Sequence, residues 1–218
     1  MGMPDLNFEV VDAAFPDGAA VPTLFFKLKI SHKAMQERIQ SIALRCQLMI
    51  MATRRHYSQE TQARLADVFG ESSRWGETVR SLLWTYTSTV IPAFSGDTIV
   101  DLPIPCTYDF DVVSTKYFDA LEDGEIPLSF LFSGTIFYAD TSGRLQISQI
   151  PWSKEANYRL SISLWRAMIN AYYPASAWIR MPKTTFDQLY QYKVQHGLPT
   201  WADVFAHLLA SNEQRAQP

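Results

Sequence analysis

Two cysteines in 218 residues, at positions 46 and 106, are too few for a disulfide framework. A secreted domain more often carries several in disulfide spacing, so a reducing, cytoplasmic setting is expected. Long apolar runs are also missing: no stretch of about 18 uncharged apolar residues occurs, the length a membrane-spanning helix needs. The start, MGMPDLNFEV, lacks a basic region followed by an apolar run, so no secretory leader is expected. The histidines at 32, 56, 196 and 207 form no HxH or HExxH, and no CxxC pair occurs, which leaves zinc without sequence support. There is no GxxxxGK followed by Ser or Thr, no GxGxxG and no GxSxG, so the phosphate loops and the hydrolase elbow are excluded as motifs. A triad assembled from distant residues stays open.

Apolar material, by contrast, is plentiful. With 47% hydrophobic and 19% charged residues, the chain can bury roughly 70% of the surface its unfolded form exposes, enough for one core without staples. Its formal charge is -3, from 19 basic and 22 acidic residues, which provides no drive toward nucleic acid or an anionic membrane. The distribution is less even. Residues 27–80 hold ten basic and five acidic residues, a net +5; residues 97–140 hold one and nine, a net -8; residues 144–193 hold seven and two, a net +5. The acidic stretch reads either as solvated faces or as a surface for a basic partner.

Alternation marks the strands. In TLFFKLKI (23–30), Leu24, Phe26, Leu28 and Ile30 share one side and Lys27 and Lys29 the other; SIALRCQLMI repeats this, with Arg45 and Gln47 outward. Further strands are expected in NFEVVDAAF, in SLLWTYTSTVI (81–91), TIVDL (98–102), TYDFDVV (107–113) and IPLSFLFSGTIFYA (126–139), and in RLQISQI. A helix is expected over 58–70, capped by Ser58 and stopped by Gly70. After Tyr158 the period becomes helical in LWRAMINAYY, TTFDQLYQYKVQHG and PTWADVFAHLLA, the last two with capping boxes at Thr184 to Asp187 and Thr200 to Asp203. The expected fold class is α+β, mainly β: an antiparallel β-sandwich-like core with a short inserted helix and C-terminal helices. The core spans 1–158, a helical segment packed on the same core spans 159–210, and 211–218 forms a disordered tail. SFLFSGTIFY is apolar on both parities and should be a central strand, one face under a second sheet and the other under Trp165, Tyr172, Tyr173, Phe186, Tyr190 and Phe205.

Two stretches hold candidate chemistry. In DLPIPCTYDFDV (101–112), Cys106 shares a parity with Tyr108 and is expected to be structural, because negative surroundings raise a thiol's pKa. Pro103 and Pro105 donate no ladder hydrogen bonds, which places the run at an edge. Asp109 and Asp111 share a face and suit joint cation binding, but nothing nearby supplies further oxygen ligands, so neither metal nor cofactor is expected. In FGESSRWGETVR (69–80), Arg74, Trp75 and Arg80 read either as an exposed anchor for a partner or as packing between helix and sheet.

Together AVPTLFFKLKI, FGESSRWGETVRSLLWT, DLPIPCTYDFDV, GEIPLSFLFSGTIFYA and QIPWSKEANYRL resemble an uncharacterised family of bacterial proteins of about this length, over nearly the whole chain. The resemblance implies an association with genes near high-affinity uptake nickel-iron hydrogenases, and with it an accessory role in assembling that enzyme; it brings no catalytic residues. Residues 172–190, YYPASAWIRMPKTTFDQLY, are similar to the last part of the export chaperone SecB. The expected function is a non-catalytic accessory or binding protein with a protein partner, homo-oligomerisation also being open, and tentative binding residues Arg74, Trp75, Arg80, Tyr108, Asp109 and Asp111. The alternative is a small-ligand-binding protein or enzyme with a pocket between the sheet and the C-terminal helices.

Overall fold

The computed structural model describes residues 4–16, 18–32, 38–109, 112–140 and 142–216. Residues 1–178 and 179–218 form two compact units. In the first, strands β1 (Leu6–Ala14), β2 (Thr23–His32), β3 (Ile39–Ile50), β4 (Leu82–Ile91), β5 (Asp97–Pro105), β6 (Glu125–Ala139), β7 (Leu145–Gln149) and β8 (Glu155–Ser161) build two sheets. One has the order β1-β2-β5; the other runs β4-β3-β6-β7, with β8 also on β6, and the pairings are antiparallel. The fold is α+β and mainly β.

The alternation read in the sequence sets which faces meet. Leu24, Phe26, Leu28 and Ile30 of β2 and Ile42, Leu44, Cys46, Leu48 and Ile50 of β3 are all buried. Phe8 stacks on Phe132 at 4.6 Å and Phe26 meets Phe130 edge-on at 5.0 Å, so the small sheet lies over one face of the large one. Each lateral opening is tied. Thr87 Oγ1 donates to Pro103 O (3.1 Å), joining β4 to β5, and the Lys154 ammonium reaches Asp5 at 2.6 Å, joining the approach to β8 to that of β1.

Helices α1 (Gln59–Arg64), α2 (Ala66–Phe69), α3 (Trp75–Thr78), α4 (Val113–Ala120) and α5 (Ile162–Tyr172) add Leu65, Tyr117, Phe118, Trp165 and Met168 to the same core. Tyr57 Oη donates to Ala52 O (2.7 Å), which uses its one proton, so Tyr117 Oη donates to Tyr57 at 2.8 Å. Burial holds both phenols neutral by raising their pKa. Arg55 clamps the hairpin before β6, donating to Asp123 O (2.5 Å) and Glu125 O (2.7 Å) across Gly124.

Several local expectations are corrected. Residues 107–109 and 112–113 form no strand: β2 begins at Thr23, opposite Pro105, so the chain beyond runs past the end of β2, and Val113 opens α4. The helical period expected after Tyr158 starts only at Ile162, because Glu155–Ser161 forms the unexpected strand β8. The 58–70 helix is two, joined at Leu65, although Ser58 caps it as expected by accepting from Thr61 N. Pro103 and Pro105 do lie on an edge, that of the small sheet.

The second unit holds α6 (Lys183–Gln195) and α7 (Trp201–Ala216). The box at Thr200 and Asp203 forms reciprocally, Asp203 N donating to Thr200 Oγ1 (3.1 Å) and Thr200 N to Asp203 Oδ2 (3.0 Å). Thr184 caps nothing, because α6 starts one residue earlier at Lys183, whose ammonium pairs with Asp187. Helical backbone runs through residues 211–216 of the tail expected to be disordered. Phe186, Tyr190 and Trp201 pack on one another, with centroids 5.1 to 6.5 Å apart.

At Gly134 the edge neighbour of β6 changes from β7 to the β8 side, with φ at +136°, and an added Cβ would lie 2.0 Å from Ala43 O. Gly134→Ala is expected to destabilise the fold by about 3 kcal/mol, from a disfavoured backbone region plus backbone overlap, measured by chemical denaturation. A loss under about 0.5 kcal/mol would show that the β3–β6 contact is looser than described. Burial raises both thiols, Cys46 and Cys106, from 9.0 to about 12. Their contribution to stability is therefore present below pH 9 and is lost as the pH rises toward 12. At pH 8 both are expected to react with a thiol reagent only at the rate of unfolding, whereas rapid labelling of the native protein would contradict their burial.

Candidate functional site

The residues singled out in the sequence do not converge. Trp75 is half-buried: its Nε1 donates to Gly70 O (3.0 Å), and its ring meets Tyr57 at 5.5 Å and Phe69 at 5.4 Å, so it fills the join between helices and sheet. Arg74 and Arg80 are exposed, and Arg80 Nη1 returns to its neighbour's carbonyl, Val79 O (2.9 Å). Tyr108 stacks on Tyr173 at 5.8 Å, and half-buried Asp109 bridges to Trp178 in a single parallel pair. Asp111 lies outside the described residues. The trio at 74–80 thus belongs to one corner and Tyr108 and Asp109 to a loop, and none of the described recesses is lined by both groups.

The acidic stretch is largely matched by its flanks. Asp97 pairs with Lys29, Asp101 with Lys27, Glu122 with Arg64, Asp123 with Arg55, Glu125 with Arg159 and Asp140 with Arg144. The three charge blocks of the sequence fold onto one another. Most of these pairs are well exposed and contribute about 0–1 kcal/mol each, so they align the strands more than they stabilise them.

The largest described cavity is elsewhere, on the outer face of the large sheet. The register β4–β3–β6 sets Ser88, Arg45 and Ser133 in one row and Tyr86, Gln47 and Leu131 in the next, all on the parity opposite the core. The segment between β7 and β8 continues the first row, because Ile150 N donates to Gly134 O and Phe132 N to Lys154 O, both at 2.9 Å, which brackets Ser133 and brings Trp152 beside it. These residues line an open groove of about 650 Å³. Strands lie ~4.8 Å apart, so β4, carrying Tyr86, and β6 are separated by about 10 Å, with Trp152 beyond β6. Tyr86 is 67% exposed and Trp152 93%.

This face is the one expected to lie beneath the C-terminal aromatics. Leu131 and Phe137 of β6 are partly exposed, and Val90, Leu145 and Ile147 on the flanking strands are more than 60% exposed. Of the aromatics assigned to cover it, Trp165 is buried against Trp84 and Phe118, on the core side. The face therefore carries a row of large apolar groups in water, which soluble surfaces avoid as contiguous patches.

Arg45 stands in the middle of it. Unlike Lys27, Lys29, Arg55 and Arg64 of the same charge block, it makes no ion pair with any described carboxylate, and it is the one charged residue lining the groove. The remaining polar side chains on that face of the groove are Gln47, Ser88 and Ser133, and the described lining residues include no histidine or carboxylate. The arrangement suits recognition: two aromatic platforms, a free guanidinium and hydroxyl and amide hydrogen-bonding groups. The sequence showed Arg45 and Gln47 pointing outward. It gave no weight to Trp152, whose signal was a large apolar residue in the turn PWSK between two strands.

Two smaller recesses accompany it. One, of about 340 Å³, is lined by Val21, Trp84, Cys106, Tyr173 and Trp178; the other, of about 200 Å³, by Tyr108, Asp119, Trp165 and Arg166. Arg166 is occupied there, donating to Leu121 O (2.6 Å). Among the described residues no helix is long and apolar enough to cross a membrane.

No curated protein matches the chain. The model of one family, described as a family of unknown function (DUF6084), matches residues 3–217, and the chain belongs to that family.

Proposed function

We propose that this chain is a non-catalytic binding protein that docks a protein partner on the open face of its large sheet, serving as an accessory or assembly factor. The observation that carries this reading is the exposure of Tyr86 and Trp152 in the groove and of Val90, Leu145 and Ile147 on the same face. Exposed indole and phenol rings are costly to keep in water and are enriched at the centres of interfaces, where covering them contributes most to affinity. The first partner to test is a subunit of a nickel-iron hydrogenase, because of the resemblance of the chain's motifs to proteins encoded beside such enzymes. The alternative, an enzyme or carrier with a pocket under the helices, has less support. Its two recesses, of about 340 Å³ at Trp84, Cys106 and Tyr173 and about 200 Å³ at Tyr108 and Arg166, lie near or below the roughly 300 Å³ lower end of ligand-pocket sizes and hold few convergent polar groups.

The double variant Tyr86→Ala and Trp152→Ala is expected to keep its thermal stability within about 1 kcal/mol, as exposed positions do. The same variant should weaken binding to the partner at least tenfold by calorimetric titration. Undiminished affinity in this variant would move the interface away from the sheet, toward Arg74 and Arg80.

A further inference from the structure

We infer that the partner presents an extended segment whose acidic side chain meets Arg45, flanked by apolar or aromatic side chains that cover Trp152 and Tyr86; this rests on the open face being the binding face. Charge complementarity carries the argument. In a chain whose three charge blocks neutralise one another through at least six ion pairs, Arg45 makes none with a described carboxylate; Arg74 and Arg80 share this, but of the three only Arg45 lines the groove, on a face built largely from uncharged side chains. Glu155, opposite Leu131 on the adjoining row, is the nearest acidic position in the strand register and makes no bond to it. A guanidinium between a phenol and an indole is suited to a carboxylate, which it can bind through two parallel hydrogen bonds.

The surroundings decide what carries that carboxylate. The groove floor includes Leu131, and further exposed apolar side chains, Val90, Ile147 and Leu145, lie on the same face beyond the row of Arg45 and Ser133. An acidic sugar would place hydroxyls against these alkyl groups and leave them unpaired, whereas an extended peptide alternates side chains and can set an acidic one over Arg45 with apolar ones on either side. The hydroxyls of Ser88 and Ser133 and the amide of Gln47 then meet its backbone.

The test uses the full chain and randomised 12-residue peptides displayed on yeast. Selected peptides are expected to share an Asp or Glu within two residues of an aromatic or large aliphatic residue. Their synthetic counterparts, measured by fluorescence anisotropy, should lose about tenfold in affinity with Arg45→Gln and all measurable binding with Trp152→Ala. Affinity should fall with added salt for the native chain and less steeply for Arg45→Gln. Selection repeated on Arg45→Glu should return Lys or Arg at the same position. Peptides that require Trp152 but carry no acidic residue and ignore Arg45→Gln would overturn this inference and leave the binding face in place. Acidic peptides indifferent to Trp152→Ala, or no selectable peptide at all, would overturn both. Unchanged melting temperatures of the three variants separate these outcomes from misfolding.

Discussion

Phe26 touches three elements at once, meeting Phe130 at 5.0 Å, Tyr158 at 5.7 Å and Trp84 at 6.5 Å, each near the edge-on geometry that aromatic quadrupoles favour. Those contacts hold β2 of the small sheet against β4, β6 and β8 of the large one. Because side chains alternate along a strand, fixing this one parity as the inner one determines the other face as well: Arg45, Gln47, Leu131 and Ser133 must then point away from the core. A slip of one residue would bury Arg45 unpaired, which costs far more than any surface contact returns. The open face is thus a consequence of how the core closes.

Electrostatics plays a subordinate but informative part. The alternation of positive, negative and positive blocks along the chain is a pairing pattern between segments that become neighbours in space. Exposed pairs such as Lys27 with Asp101, on adjacent strands β2 and β5, favour the correct register over others while adding little to stability. The acidic stretch is consequently largely paired within the chain, and Arg45 stands outside that pairing within the groove.

Much of the fold was legible because period-two alternation is a local signal. β2 follows it from Leu24 and β3 from Ile42 to Ile50, and the double apolar parity of β6 marked it as central. The same signal misled over 107–113, where alternation continues past the end of β2. β8 was missed because Glu155, Asn157 and Arg159 make seven residues look polar, with only Ala156, Tyr158 and Leu160 turned inward. The candidate site was scarcely legible. Its residues come from positions 45–47, 86–88, 131–133 and 152, and what unites them is the non-local order β4-β3-β6 and the turn beside Gly134. A sequence reading is drawn to clusters such as Arg74, Trp75 and Arg80, whose nearness in the chain reflects local packing instead.

Hydroxyl-radical footprinting, read residue by residue with mass spectrometry, tests most directly whether the open sheet face is the working surface. In the free protein, Trp152, Tyr86 and Ile147 should be oxidised rapidly, as should Ile99 and Val11, which are exposed on strands of the small sheet. With partner bound, the account requires protection of Trp152, Tyr86 and Ile147 together, and no change at Ile99 and Val11. Slow oxidation of Trp152 in the free protein, or protection confined to the small sheet, would contradict it.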